Sequence, residues 1–445
     1  MTPDGFVGRR RLVVGLASAT QAASGGMLGT ALVVYVGRSG SPFAVSMLAS
    51  AFFASSMVFS PLWGAVGDLF GRRRTLVPVA TLTAVATFAF LLADGVWGLV
   101  GLRAVRSVFA VGFGPLALSL VRALTATERR GRAVGFVSSA SAAGDVGAQL
   151  AVGVLLGALA PSSLYVLVGA LALLTVALVV FFEEPAGAVS STVGNPTAAR
   201  PTLRAVAANV RGRLVPDAAE RRRLRRTGLT WLYAGIALRH LAVQGVGSLV
   251  PVYLVGRLGL PTAAMGVLLA SNPAAQVLLL SVFGSLADRG ARKRMVVAGI
   301  VLSGCYTLVL AGASLAATPA ARGLAAAGAF VVLATGFSAM DMGTVAVIGD
   351  HVPESRESAF VGLRSTAAGV GGVLGPALVG GAATAVGFPT AFALASAFAF
   401  AAAVVVAAGL REPVRTTIPP TDLGTVETTA GIAQLPGAHR GSDGD

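Results

Sequence analysis

The sequence predicts an all-α polytopic membrane protein, with twelve transmembrane helices arranged as two pseudo-symmetric six-helix bundles. Three observations carry this reading. Apolar runs long enough to cross a bilayer follow one another along most of the chain. Arginines crowd into alternate connections between those runs. A short charged motif after the second run returns 220 residues later, after the eighth.

Composition agrees. Of 445 residues, 55% are hydrophobic and 12% charged, half the ~25% charge of a soluble domain. Mean hydropathy is +0.79. The runs are apolar on all sides, unlike the alternating strands of a barrel. The net charge of +15 sits in short segments between apolar runs, not on one face of a soluble fold, which excludes nucleic acid as a partner. The single cysteine, Cys305, makes neither an intrachain disulfide nor a zinc cage and reads as a small buried hydrophobe. His240, His351 and His439 are scattered, and no nucleotide-binding loop is present. The sequence therefore predicts no metal, no cofactor and no enzyme.

The elements follow in order, at roughly 20 residues per crossing. The first span, 11–36, follows Arg9–Arg11 and continues too far for a signal's apolar region, so it reads as an uncleaved helix. Spans two and three, 43–67 and 75–93, flank WGAVGDLFGRRRTL, which begins at Trp63. Span four, 96–121, carries Arg103 and Arg106; span five, 131–157, follows Arg129, Arg130 and Arg132. Span six, 161–182, ends at Glu183-Glu184-Pro185. The second set comprises 228–255, 263–287, 294–316, 323–349, 357–383 and 387–410. This divides the chain into bundles at 1–182 and 228–410, a linker at 183–227 and a disordered tail at 411–445. The linker ends in AAERRRLRRTG, which suits either a basic amphipathic helix on a leaflet or a solvated connection.

The arginine loops orient the chain. Arg72–Arg74, Arg129–Arg132, the cluster from Arg200 to Arg226, Arg289–Arg294 and Arg356 fall on one side with both termini. The other side holds little more than Arg38, Arg257 and Arg322. That bias places both termini in the cytoplasm and the protein in the inner membrane of a prokaryote.

The motif explains the repeat. Asp68 lies one turn from Arg72, Gly64 and Gly67 allow close helix approach, and Arg73 and Arg74 face anionic headgroups. The second copy, FGSLADRGARKRM, begins at Phe283 and aligns Gly284, Asp288 and Arg292 with Gly64, Asp68 and Arg72. These residues resemble the motif of the major facilitator superfamily between its second and third helices, G-x-x-x-D-R-x-G-R-[KR]. The first copy gives Gly64, Asp68, Gly71, Arg72 and Arg73, with Leu69 at the family's arginine; the second gives Gly284, Asp288, Arg289, Arg292 and Lys293, with Ala291 at the glycine. The resemblance implies that the cluster latches the two halves when the outside is open, and it places Asp350 beside the second latch. Arg106 with SVFAVGFGP is similar to the family's R-x-x-x-G motif in helix four. Span eleven carries GVGGVLGPALVGG, with Gly371, Gly375, Pro376 and Gly380, which resembles the glycine–proline motif of proton-coupled drug antiporters. In those antiporters it marks span five, where this chain has Ala148 in place of the proline. Helix packing is the other reading of these glycines.

Charged side chains at the bilayer centre cost about 3 kcal/mol each, so those present should face a cavity or a partner. Arg106, Asp145, Arg239 and His240 all fall near mid-membrane, and an Arg106–Asp145 pair is geometrically reasonable. Gln244 lies one turn beyond His240; Asp341, Gln149 and Gln276 are further polar positions. These residues are the expected substrate and proton pathway, against a bland alternative of structural pairs and packing. The predicted function is a secondary transporter, a monomer among membrane lipids, moving a small organic molecule by alternating access with protons as coupling ion. Export is the leading direction. Uptake or exchange of an organic anion is the alternative, and a non-transporting sensor is the alternative of another class.

Overall fold

A computed structural model describes residues 3–125, 129–181 and 218–411. The described residues form helices and no strand. The first six long helices are α1 (Pro3–Gly37), α2 (Pro42–Phe70), α3 (Arg72–Phe88, extended by a tighter turn Ala89–Leu92), α4 (Gly95–Ala123), α5 (Arg130–Ala158) and α6 (Pro161–Val180). A short helix, α7 (Ala218–Thr227), precedes the second six. These are α8 (Leu229–Val252, with a wider last turn Tyr253–Arg257), α9 (Thr262–Asp288), α10 (Arg292–Ala313), α11 (Pro319–His351), α12 (Glu354–Val386) and α13 (Phe388–Gly409).

Local chemistry sets the boundaries. Proline opens α2, α6 and α11, where its missing N–H costs nothing. Ser41 and Thr318 cap α2 and α11 by accepting from the amides of Ala44 and Ala321, at 3.3 and 3.2 Å. Eleven of the described helices are long and apolar enough to cross a membrane. The twelfth long helix, α1, has 35 residues and carries Ser18, Thr20, Gln21, Ser24 and Thr30 among its apolar positions. The linker residues 183–217 and the tail 412–445 lie outside the described residues.

The two sets of six repeat one packing scheme. In the first, α1 packs on α5 and α6, α4 on α2 and α3, and α3 on α6. In the second, α8 packs on α12 and α13, α11 on α9 and α10, and α10 on α13. Shifting each first-set helix by six spans gives its second-set counterpart. The sets meet through α2 with α12 and through α5 with α9.

The core divides along the membrane normal. Away from the arginine loops, one apolar cluster joins both sets, from Leu32, Val45 and Val152 to Val246, Leu254 and Phe392. Towards the arginine loops it splits. Val14, Leu76, Leu116 and Val137 form a cluster in the first set alone, and Leu229, Val296, Val347 and Phe360 form one in the second. The two sets are thus closed on each other at one end and separate at the arginine-rich end. The amphipathic α7 docks on the second of these clusters through buried Leu224, leaving Arg221, Arg222, Arg223, Arg225 and Arg226 exposed.

Candidate functional site

The contacts that close the remote end are made by glycines. A Cβ on Gly153 of α5 would lie 2.8 Å from both the Gly266 Cα and the Thr262 carbonyl oxygen of α9. On the other seam, Ser50 of α2 donates to the Val373 carbonyl of α12 at 2.8 Å, and the Phe43 amide donates to Thr384 Oγ1 at 3.0 Å. Gly380 rests on Ser46, and Gly371 and Gly375 rest on the backbone of α8 at Ala237 and Leu241. Pro376, which has no N–H to give, lies within this packed stretch. The glycine–proline motif therefore lets α12 lie against α2 on one side and α8 on the other.

Two arginines are built into the helix sets. Arg106 of α4 is 2% exposed; its Nε donates to Thr87 Oγ1 on α3 at 2.8 Å and its Nη2 to Ser24 Oγ on α1 at 3.1 Å. Arg239 of α8 is 2% exposed; its Nε donates to Ser303 Oγ on α10 at 3.0 Å, and its guanidinium lies 5.6 Å from the ring centre of Phe337 on α11. Each set thus buries one guanidinium where its first, third and fourth helices meet. The expected Arg106–Asp145 pair does not form. Depth along two helices fixes height and not direction, and Arg106 points to α1 and α3. Asp145 of α5 is half-buried, with its carboxylate beside Gly26 of α1. Gln149, one turn on, accepts from Thr30 of α1 at 2.8 Å.

His240 is buried, and its Nδ1 is 2.9 Å from the carbonyl of Ile236 one turn back. Gln244 is half-buried on α8. Gln276 donates to Asn272 on its own helix at 3.1 Å. Asp341 of α11 forms an ion pair with Arg364 of α12. Arg364 is absent from the sequence expectation, although an arginine inside the apolar run 357–383 is the same signal that singled out Arg106.

The charged turns at the arginine-rich end differ between the two copies. Asp68 and Arg72 stand 3.9 Å apart, and Arg73 Nη2 donates to the Val180 carbonyl of α6 at 2.9 Å. Gly67 lies against Leu116, whereas Gly64 is half-buried on the same helix. Arg292 pairs with Asp350 of α11, and its Nε donates to the Ala287 carbonyl at 3.0 Å; Asp288 and Arg289 are exposed. Gly284 has only Met342 Sδ within reach of an added Cβ, at 3.8 Å. The turn conformations explain the sequence difference. Gly71 has φ +97°, and Ala291 in the matching position is held in the left-handed region at φ +58°.

Two repeated six-helix sets, closed at one end around polar groups at mid-depth, define a multi-pass membrane protein of the transporter fold class. The family model described as Major Facilitator Superfamily matches residues 14–275 and 232–436, and the chain belongs to that superfamily. Over 144 residues the chain is 26% identical to the "Multi-drug resistance efflux pump PmrA" of Streptococcus pneumoniae serotype 4, covering 32% of this chain and 36% of that protein. It is 27% identical to the PmrA homolog of Lactococcus lactis, covering 32% and 34%. The chain therefore matches about a third of the length of these curated relatives. Among solved structures, the nucleoside transporter NupG superposes with a TM-score of 0.73 at 12% identity, covering 91% of this chain and 99% of that one.

Proposed function

We propose that this protein is a secondary active transporter that carries a small organic molecule across the membrane by alternating access, coupled to protons, with export as the leading direction. The observation that carries the reading is the core, continuous at one end and split in two at the other. Two bundles, 1–182 and 228–410, would rock about α2–α12 and α5–α9 to expose one central site to each side in turn. The arginine bias supports a cytoplasm-facing opening and cytoplasmic termini in a bacterial inner membrane. The PmrA relatives, efflux pumps by name, support export. Asp145 and Asp341 would exchange the protons, and the charged turns at Asp68 and Asp288 would act as latches. A monomer with no cofactor and no enzymatic activity completes the reading.

A specific observation favours a second reading, transport of an organic anion. Among the described residues, neither Arg103, Arg106 nor Arg239 forms an ion pair, although all three are buried. The test is proton flux into proteoliposomes holding a pH-sensitive dye, with candidate cations and anions supplied under an imposed pH gradient. Solute-dependent flux supports a coupled carrier. A protein with no flux under any gradient would be a sensor instead.

A further inference from the structure

We infer that Arg364 and Asp341 form an intramembrane exchange site, in the half nearer the arginine loops, that binds a monoanionic group of the substrate together with one proton. The inference rests on the transporter reading and names the chemistry of its substrate.

Asp341 lies ten residues from the arginine-rich end of α11 and Arg364 ten residues from the same end of α12. Each helix has 33 residues, about 50 Å, so both residues sit about 9 Å from their helix midpoints towards the arginine-rich end, still within a hydrocarbon core of roughly 30 Å. Their side chains are 15% and 19% exposed, so the pair borders open space, unlike Arg106 and Arg239. Helices α11 and α12 pack only lightly on each other. The ion pair therefore bridges a seam between α11, seated on α9 and α10, and α12, seated on α2, α8 and α13. An apolar contact would hold such a seam as well, which makes stability a poor reason for the pair.

Charge balance decides what can open it. Parting the two side chains would leave opposite charges unpaired within the membrane. A proton from solvent on the Asp341 carboxylate, with an anion on the Arg364 guanidinium, leaves the site with the same net charge as the closed pair. A cation on Asp341 would instead strand Arg364. The other titratable groups on helices packed against the pair are Tyr233, Arg239 and His240 on α8, with Tyr253 and Arg257 in its remote last turn, and Cys305 and Tyr306 on α10, with Arg292, Lys293 and Arg294 at its arginine-rich end. Helix α13 presents none, and the only ones on α9 and α2, Asp288 and Asp68, lie at the arginine-rich end. Arg239 adds positive charge near the seam, which also favours an anion.

Proton uptake on ligand binding tests this. The probes are 2-naphthalenesulfonate, benzoate and inorganic phosphate, added to purified protein in weak buffer with a pH dye. Naphthalenesulfonate carries no proton of its own in the working range. Wild type is expected to take up one proton per sulfonate bound, and its affinity to rise up to tenfold for each pH unit lowered. D341N should bind without proton uptake, and R364Q should lose binding. If R364Q fails to fold because Asp341 is left unpaired, D341N/R364Q removes both charges and must still lose binding. Binding without proton uptake in wild type, or no binding of any of the three anions, overturns the inference. Tetraphenylphosphonium binding with proton release overturns the anion assignment while leaving a proton-coupled carrier intact. Absence of solute-driven flux in the vesicle assay would instead sink the transporter reading.

Discussion

Replacing Gly153 with alanine should shift the protein away from the conformation described above. The added Cβ would meet the Gly266 Cα and the Thr262 carbonyl oxygen at 2.8 Å, and both are backbone atoms that no rotamer change can move. Restoring ordinary contact requires α5 and α9 to part by about 0.6 Å at this point. Overpacking of this kind costs about 1–3 kcal/mol. Conformations in which the remote end has opened escape the cost, because α5 and α9 no longer touch there. The ratio of remote-open to remote-closed protein should rise by roughly 5- to 150-fold. Gly147, on the same helix with nothing within 4 Å of its added Cβ, provides the control. Spin labels on α5 and α9 at the remote end, read by pulsed distance measurements, give the populations. A longer distance for G153A and an unchanged one for G147A is expected. An unchanged distribution in G153A with unchanged transport would refute the idea that this glycine seam sets the closed end.

Three further outcomes follow from named contacts. A291G should raise the thermal midpoint, because the left-handed backbone at φ +58° costs a non-glycine residue about 1 kcal/mol; a lowered midpoint would mean the turn is not strained. T87V removes the acceptor of Arg106 Nε and should destabilise by about 1–3 kcal/mol, while T87S, which keeps the hydroxyl, should not; equal midpoints for the two variants would argue against the buried bond. Loss of the partly exposed Asp68–Arg72 pair in D68N should by itself cost under ~1 kcal/mol of stability. Its flux in vesicles should nonetheless fall if the turn latches the halves, and wild-type flux would rule the latch out.

The fold was legible because the signals that specify it are long. Twenty-residue apolar runs and arginine loops locate helices without tertiary information, and even α7 was visible as one of two readings of a basic segment. The site was less legible, because it depends on which way a helix faces. Arg106 and Asp145 share a depth, yet Arg106 turns to hydroxyls on α1 and α3. Likewise, the sequence places Asp341 among the pathway residues without a partner, and Arg364 reaches it from another helix. At the second turn, the sequence placed Asp350 near the latch and aligned Asp288 with Asp68. In the structure Arg292 reaches Asp350 across to α11, and a helix break separates it from Asp288 on α9.

The two guanidiniums buried at matching helix junctions have a thermodynamic consequence. They are held by hydroxyls of Ser24, Thr87 and Ser303 and by the face of Phe337. None of these partners gains or loses a proton in the range a bacterium experiences, and arginine itself stays charged. These two junctions, α1–α3–α4 and α8–α10–α11, are therefore insulated from acidity, unlike the α11–α12 seam that Asp341 and Arg364 bridge. The proton exchange proposed at Asp341 would then act on the α11–α12 seam while these two junctions hold their geometry.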